Sequence, residues 1–209
     1  MEDVLDVYKR PYDAQQPVVC LDEASKQLVA EVNAPLPPEP GQPERVDYEY
    51  ERRGTANVFM VFEPLAGQRR VAVTARRTAV DFANVVRRLV DVDYAQADRV
   101  ILVMDNLNTH GPGSLYEAFE PAEARRILGR LEIHHTPKHA SWLNMAETEL
   151  SVLGRQCLDR RIADQETLAK EVSTWEKERN ERSVKVDWQF TTADARIKLK
   201  RLYPTIEMR

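Results

Sequence analysis

The sequence predicts an α/β protein in which a mixed sheet is layered with helices. Two observations predict this class. Strand patterns crowd the first part of the chain, and strands then alternate with helices before helical patterns fill the end. Parallel strands joined by helices present their carboxyl ends at one edge of the sheet. With 209 residues, 43% apolar and 31% charged, the chain is long enough for one sizeable core.

The first third of the chain is predicted to form strands and one long loop. PVVCL has the pattern of a short buried strand that ends at Asp22, and KQLVAEV predicts a second strand after a turn. The Pro-rich segment 33–45 has no apolar period and is predicted to be a loop.

Residues 48–67 alternate apolar and polar residues and are rich in β-branched and aromatic types. This predicts two strands, with turns at Arg53-Gly54 and Ala66-Gly67. The following RRVAVT predicts a further strand with Val71 and Val73 in phase.

The rest of the chain alternates helical and strand patterns. Apolar residues at helical spacing in 79–92 predict an amphipathic helix. Later segments predict a strand in RVILVMD, a helical stretch broken by Pro121, a short strand in LEIHHTP, two strong helices over 142–162 and 166–183, and a last helix with its N-cap at Thr191 or Thr192.

Two of the apolar strands run into an aspartate. VVCLD ends at Asp22 and VILVMD at Asp105. If these strands are neighbours, the two carboxylates meet at one edge of the sheet. Carboxylates a few ångströms apart repel, so ionising both requires a compensating charge. Mg²⁺ prefers carboxylate and water oxygens, and a pair of such ions can hold the attacking and leaving oxygens of a phosphoryl transfer.

A helix that opens with SWLNMAETE supplies a third acid. Glu147 and Glu149 are two positions apart and therefore point in very different directions. Asn144 shares the face of Glu147, which favours Glu147 for a polar site, whereas Glu149 is expected to face outward or to support the arrangement. From the pattern alone an alternative stays open, because a strand-terminal aspartate is often a turn former or a helix cap.

These motifs resemble the catalytic domain of DDE transposases of the IS630/Tc1/mariner superfamily. The resemblance is carried by LDEASKQL, ILVMDNLNTH and HHTPKHASWLNMAETELSVLGRQCLDRRI, and it extends to VDWQFTTADARIKLKRLYP. The combination of DNLNTH with TPKHASWLNMAE is specific. The interval of about 40 residues between the second and third acids is longer than in many relatives, and an extended helix around Leu115 to Leu128 accounts for it.

The resemblance implies a ribonuclease-H-like fold with a mixed five-stranded sheet flanked by helices. It implies one catalytic domain over residues 1–209, with a core at about 15–182 and a helical tail at about 183–209. The first acid lies about 20 residues into the sequence, so we expect no helix-turn-helix module before it.

The implied metal-binding catalytic triad is Asp22, Asp105 and Glu147, with Mg²⁺ as cofactor and Mn²⁺ as a substitute. The implied activity is DNA cleavage and strand transfer at transposon ends in cut-and-paste transposition, commonly at TA targets. Two alternatives remain: a catalytically silent or domesticated fragment that binds DNA or a partner protein, and a structure-specific nuclease on the same fold.

Polar and aromatic side chains next to the motifs are candidate supporting groups. Those expected to orient water, metal ligands or phosphate are Asn106, Asn108, His110 and Asn144. Those expected to contact DNA are Lys138, His139 and Trp142, the last by stacking on a base. Each has a structural alternative, such as turn chemistry for the asparagines and core packing for Trp142. By analogy with mariner-type relatives, the loop 33–45 is expected either to reach a second protomer in a homodimer or to be a plain mobile loop.

Bulk properties restrict the function only weakly. A net charge of −4 does not indicate a nucleic-acid binder, but arginine pairs gathered on one face would still form a phosphate track. No apolar stretch approaches the length of a membrane span, and the start lacks a secretory pattern, so we expect the bacterial cytoplasm and association with the nucleoid. Cys20 and Cys157 are expected to be buried and unpaired.

Overall fold

A mixed five-stranded sheet forms the centre of the molecule. The computed structural model describes residues 1–34, 36–43, 45, 47–138 and 140–203. In that part of the chain the strands are β1 (Val18–Glu31), β2 (Tyr50–Glu63), β3 (Gln68–Thr74), β4 (Val100–Met104) and β5 (Leu131–His135). The order across the sheet is β3-β2-β1-β4-β5. β1, β2 and β3 pair antiparallel, whereas β4 pairs parallel with β1 and β5 parallel with β4.

Helices cover both faces of this sheet. They are α1 (Glu2–Tyr8), α2 (Ala79–Arg88), α3 (Pro112–Ala118), α4 (Pro121–Leu128), α5 (Met145–Leu153), α6 (Gln165–Glu181) and α7 (Thr192–Lys198). The apolar residues of α1, α5, α6 and α7 share one core cluster with one face of the sheet. Those of α2, α3 and α4 share a second cluster with the other face. The layered α/β architecture predicted from the sequence is therefore confirmed.

The period-2 alternation of strand side chains separates the two clusters. In β4, Ile101 and Val103 pack towards α5, whereas Leu102 and Met104 pack towards α2. Every residue of β4 is buried, as expected for a short parallel strand that is covered on both faces.

The prediction that PVVCL and KQLVAEV form two strands is wrong. β1 is a single strand of 14 residues with an irregularity between Gln27 and Val29. The polar stretch between the apolar halves keeps pairing with β2, from Asp22 opposite Met60 to Lys26 opposite Ala56. The backbone ladder thus continues where the side-chain pattern suggested a turn, and Asp22 lies within a strand rather than at its end.

The turn predicted at Arg53-Gly54 is also absent, because β2 runs through it as one strand. Gly54 has a φ of 96°, a conformation that glycine adopts without strain, so the chain passes an irregular position and stays paired. The second predicted turn is confirmed: Gly67, with a φ of 69°, lies in the connection between β2 and β3.

The helix predicted over 142–162 is divided into three parts. A 3-10 turn at Ser141–Leu143 precedes α5, and a π-helical turn at Gly154–Leu158 follows it. A π-helical turn also extends α2 over Leu89–Asp93.

The C-terminal helix begins as predicted. Thr191 forms a capping box with Asp194. α7 then returns to the start of the chain, where Thr192 Oγ1 donates to Asp6 Oδ1 at 2.8 Å and Arg196 pairs with Glu2.

The loop between β1 and β2 contains isolated bridges from Leu36 to Arg45 and from Glu39 to Gln42. Cys20 is buried, and Cys157 is only partly so. No helix in the described ranges has the length and apolarity needed to cross a membrane.

Candidate active site

Two neighbouring parallel strands bring Asp22 and Asp105 to the same level of the sheet. Cys20 of β1 is paired with Val103 of β4, and each aspartate lies two residues further along its own strand direction. Cys20 and Val103 both face the layer that contains α5. The alternation of side chains therefore directs both aspartates to the α5 side.

Helix α5 is tied to β1 beside Asp22. Asn144 is its N-cap, and its Oδ1 accepts a hydrogen bond from Ala146 N at 3.1 Å. Its Nδ2 donates to Leu21 O at 2.9 Å, so the buried amide bridges the helix start and the strand. Glu147 follows in the first turn and is exposed. Asn144, which the sequence suggested as a supporting group, thus fixes the start of the helix that carries Glu147 beside β1.

The pKa of Asp22 is raised by burial and by the negative charges around it. Burial raises it to about 7, against a lowering backbone hydrogen bond from Glu23, and the charges of Asp105, Glu23 and Glu147 raise it further. At neutral pH, Asp22 is therefore protonated in a substantial fraction of the molecules. These four carboxyl groups (Asp22, Glu23, Asp105 and Glu147) are called the acidic group below.

His110 connects two members of the acidic group. Its Nδ1 contacts Asp105 Oδ1, and its Nε2 lies 2.8 Å from Glu23 Oε2. The second contact has the distance of an ion pair but not the angles of a hydrogen bond, and in the described part of the chain neither atom has another hydrogen-bond partner. The ring is 1% exposed and stacks on Phe82, with 4.8 Å between centroids.

The contacts of His110 determine the charge states of this cluster. Burial alone would lower the pKa of His110, but Asp105 and Glu23 raise it to about 9. Burial likewise opposes ionisation of Asp105, yet the hydrogen bond and charge of His110 outweigh it and hold the pKa of Asp105 below its usual range. At neutral pH, Asp105 is therefore a carboxylate and His110 a cation.

The donor chemistry of the acidic group fits Mg²⁺, because carboxylate oxygens are the protein ligands that this ion prefers. The raised pKa of Asp22 supports the fit, since a bound cation would relieve the repulsion. Among the described residues, however, no three His, Cys, Asp or Glu side chains are already arranged to hold an ion. Asp22, Asp105 and Glu147 therefore lie near one another, but their side chains would have to move closer together to coordinate a cation.

The loop after β4 borders a groove next to the acids. Its exposed residues include Asn106 and Asn108, which line the groove together with Glu23 and Arg77. Leu107 N donates to Asp105 Oδ1 at 3.4 Å, so part of this loop is an Asx-type turn.

The predicted DNA-contacting residues precede α5 in the chain. Lys138 is exposed, and His139 lies outside the described residues. Trp142 is 42% exposed, stacks on Trp188 with 6.1 Å between centroids, and meets the edge of Phe190. It is therefore neither core nor free, and one side of it remains open to solvent.

Glu149 is buried, so the expectation that it faces outward is wrong. The other expectation, a supporting role, agrees with its contacts. Its Oε2 accepts from Arg69 Nε at 2.8 Å, and its Oε1 accepts from Arg179 Nη2 at 3.0 Å. Arg69 is fully buried and also donates to the carbonyl oxygens of Gly67 and Val184, each at 2.7 Å. We call Arg69, Glu149 and Arg179 the clamp, because it joins α5 to β3 and α6.

Sequence reasoning missed two groups. Glu23 follows the first acid, and its place in a presumed turn gave no sign that it is buried. Arg69 belongs to one of several arginine pairs that suggested solvated surface or a phosphate track. Nothing local in the sequence marks either residue, because their partners lie 80 or more residues away.

Known proteins show the same fold. A family model described as DDE superfamily endonuclease matches residues 17–169. No curated protein matches the chain. The fold is similar to that of a Mos1 strand transfer complex (16% identity, TM-score 0.55, 88% of this chain and 54% of that chain covered). It is also similar to the Mos1 transposase paired-end complex with left transposon end (16%, 0.53, 88% and 56%) and to the catalytic domain of Mos1 mariner transposase (15%, 0.52, 88% and 87%).

The chain thus spans about half the length of the proteins in the first two structures and most of the third. At such low identity the likeness shows the fold, and it confirms the predicted ribonuclease-H-like class.

Proposed function

Because the chain belongs to the DDE superfamily endonucleases, we propose that it is a transposase catalytic domain that cleaves and joins DNA strands with a divalent metal ion. The observation that supports this most directly is the acidic group. Asp22 and Asp105 extend from adjacent parallel strands towards the helix that carries Glu147, and burial, with a further contribution from the neighbouring acids, raises the pKa of Asp22. The printed names of the similar structures, a strand transfer complex and a paired-end complex, favour cut-and-paste chemistry at transposon ends.

In this proposal Asp22, Asp105 and Glu147 hold Mg²⁺, or Mn²⁺ as a substitute. The ion supplies charge neutralisation at the phosphodiester and acidifies bound water. Asp22 must release its retained proton to bind the cation. His110 keeps the Asp105 carboxylate ionised and oriented, and Asn144 holds the start of α5 against β1. The chain thus contributes positioning and charge, which is what phosphoryl transfer requires of a protein.

The proposed domain comprises the whole described chain, with DNA as substrate and a second copy as partner. The C-terminal segment supports one unit rather than two, because α7 and α1 share a core and Arg196 pairs with Glu2 at 2.7 Å. The division into a core at about 15–182 and a helical tail belongs to this proposal, as do the TA target and the bacterial nucleoid as the site of action.

A nicking assay on supercoiled DNA with Mg²⁺ or Mn²⁺ tests the proposal, using the wild type and Asp105→Asn. We expect the variant to lose activity by about 10³-fold, because a carboxylate that holds a catalytic metal is worth several kcal/mol in the transition state. Glu117→Gln on α3 is the matched control, an exposed acid with no hydrogen bond or ion pair to the acidic group among the described residues. Retention of nicking by Asp105→Asn would remove Asp105 from the mechanism.

A silent DNA-binding or partner-binding fragment is the second candidate. Two observations favour it: no three of the acids are preassembled for a metal within the described residues, and Asp105 is already contacted by His110. A thermal melt with Mn²⁺ separates the two candidates. Stabilisation of the wild type but not of Asp105→Asn supports the enzyme, whereas DNA binding without a Mn²⁺ shift or nicking supports the silent fragment.

A further inference from the structure

We infer that Glu23 is a positioning residue for the proposed metal site, acting on Asp105 through His110. The inference rests on the proposed function, because Asp105 is one of the proposed metal ligands. Glu23 borders the groove beside the acids, but its carboxylate is buried and is contacted by His110 and Arg77 rather than by Asp105. Its link to the site is the histidine that lies between the two carboxylates.

The burial of Glu23 needs a physical reason. Its side chain is 4% exposed, although a carboxylate removed from water is costly unless it is paired. Two cationic groups approach it among the described residues. Arg77 Nη1 is 3.7 Å away on a side chain that is 56% exposed, which makes a weak, screened contact. His110 Nε2 is 2.8 Å away and buried, so it is the principal partner.

The ring of His110 is held on three sides. One nitrogen contacts Asp105, the other faces Glu23, and the ring plane stacks on Phe82 of α2. Asp105 itself follows the last residue of β4 and lies in a loop. Besides His110, its carboxylate accepts one long hydrogen bond, of 3.4 Å, from Leu107 N. The orientation of the Asp105 carboxylate therefore depends on the ring, and the ring depends on Glu23.

This arrangement lets one dipeptide of β1 position two acids. Consecutive strand residues point to opposite faces, so Asp22 reaches the α5 side directly while Glu23 points to the α2 side. From there Glu23 reaches Asp105 through His110. The relative placement of the first two acids is thus set by a single stretch of backbone. Groups that orient a metal ligand typically change metal affinity or activity by about 10- to 100-fold when removed.

The test compares Glu23→Gln with Glu63→Gln in the full chain. Glu63 is a matched control: it is 6% exposed, lies in β2 of the same sheet, and accepts a hydrogen bond from Tyr94 at 2.9 Å without contact to the acidic group. The readouts are the ¹⁵N shifts of the His110 ring without metal, the dissociation constant for Mn²⁺, and kcat and KM for nicking.

For Glu23→Gln we expect altered His110 shifts, Mn²⁺ binding weakened by about tenfold, and a lower kcat with little change in KM for DNA. Glu63→Gln should leave the His110 shifts unchanged and keep the Mn²⁺ dissociation constant, kcat and KM within about twofold of the wild type, even if it lowers thermal stability as much as Glu23→Gln does. Wild-type Mn²⁺ affinity in Glu23→Gln would overturn the inference and leave the proposed function standing. A wild type that binds no Mn²⁺ would overturn the proposed function, and the inference with it.

A double-mutant cycle keeps the inference testable if Glu23→Gln folds poorly. Because Glu23 acts through His110, Glu23→Asp should weaken Mn²⁺ binding in the wild-type background but have no further effect in a His110→Gln background. Additive effects of the two substitutions on Mn²⁺ affinity would show that Glu23 acts by another route and would overturn the inference.

Discussion

Two clusters of charged side chains lie beside α5, and they differ in how their charges are paired. In the clamp, one carboxylate (Glu149) receives two guanidinium groups, and the remaining donors of Arg69 reach backbone carbonyl oxygens. In the acidic group, four carboxyl groups have one buried cationic neighbour among the described residues, His110, which contacts Asp105 and Glu23, and Arg77 adds a weak contact to Glu23. Each charged group of the clamp is hydrogen-bonded, with two guanidinium groups for one carboxylate, whereas the acidic group has an excess of negative charge.

This difference separates a structural cluster from a candidate functional one. A fully satisfied buried network makes its surroundings rigid. An unbalanced cluster raises the free energy of the folded protein unless a ligand of opposite charge binds, and strongly perturbed pKa values are typical of functional sites. Substitution of Glu149 should therefore change mainly the stability, whereas substitution of Glu147, two residues earlier on the same helix, should change mainly the activity.

The largest expected effect on stability is at the clamp. Glu149→Gln leaves the Arg69 and Arg179 guanidinium groups without their anion, and breaking a buried pair in this way costs about 3–5 kcal/mol. The free energy of unfolding from urea denaturation at pH 7 measures it. Glu147→Gln is the control on the same helix: we expect a change within about 0.5 kcal/mol and loss of nicking. Equal stability of the two variants would contradict the structural role of the clamp.

The clamp should also make stability depend on acid pH. Burial alone would raise the pKa of Glu149, but the hydrogen bonds from Arg69 and Arg179 outweigh it and hold that pKa below its usual value of 4.5. A depressed carboxyl pKa stabilises the fold above its unfolded value, and this contribution is lost as pH falls through the folded value. The difference between wild type and Glu149→Gln should therefore shrink below about pH 4.5.

A smaller loss of stability is expected when the N-cap of α5 is removed. Asn144→Ala removes the cap of α5 and leaves Leu21 O without its partner, which together should cost about 2 kcal/mol. Since Asn144 places the start of α5, nicking should fall more than stability alone explains. Thr191→Ala is the matched control, because it removes another N-cap, on α7, whose hydrogen bonds are to Asp194 rather than to the acidic group. Equal loss of nicking in both variants would remove the positioning role from Asn144.

The smallest expected effect has the opposite sign. Without metal, Asp22→Asn should stabilise the protein at pH 8 by on the order of 1 kcal/mol, because the wild-type carboxyl must ionise in a buried, negative environment. A carboxyl pKa raised to about 7 means that wild-type stability falls as pH rises from about 4 to 7 and is then level. The advantage of the variant should therefore be smaller at pH 5 than at pH 8. Thermal melts at both pH values, with and without Mn²⁺, measure it, and Mn²⁺ should stabilise only the wild type.

Much of the fold could be predicted locally. The apolar stretch before Asp105, the helical period of α2 and the capping residue Thr191 each indicate their structure from a few neighbouring residues. The predictions failed where pairing with a neighbouring strand determines how far a strand extends. β1 continues through Asp22 and β2 through Gly54 because each strand completes the other's hydrogen-bond ladder, and no local pattern contains that information.

The sequence by itself determined which residues are available for chemistry: Asp22 and Asp105 beside apolar strands, and Glu147 on a helix that begins after Asn144. These follow from strand alternation, helical period and capping, which act over a few residues. Only the tertiary structure decided that Glu149 and Arg69 are buried in a clamp, and that Glu23 reaches Asp105 through His110. The reason is physical: a buried charge requires its partner at contact distance, and here those partners come from distant parts of the chain.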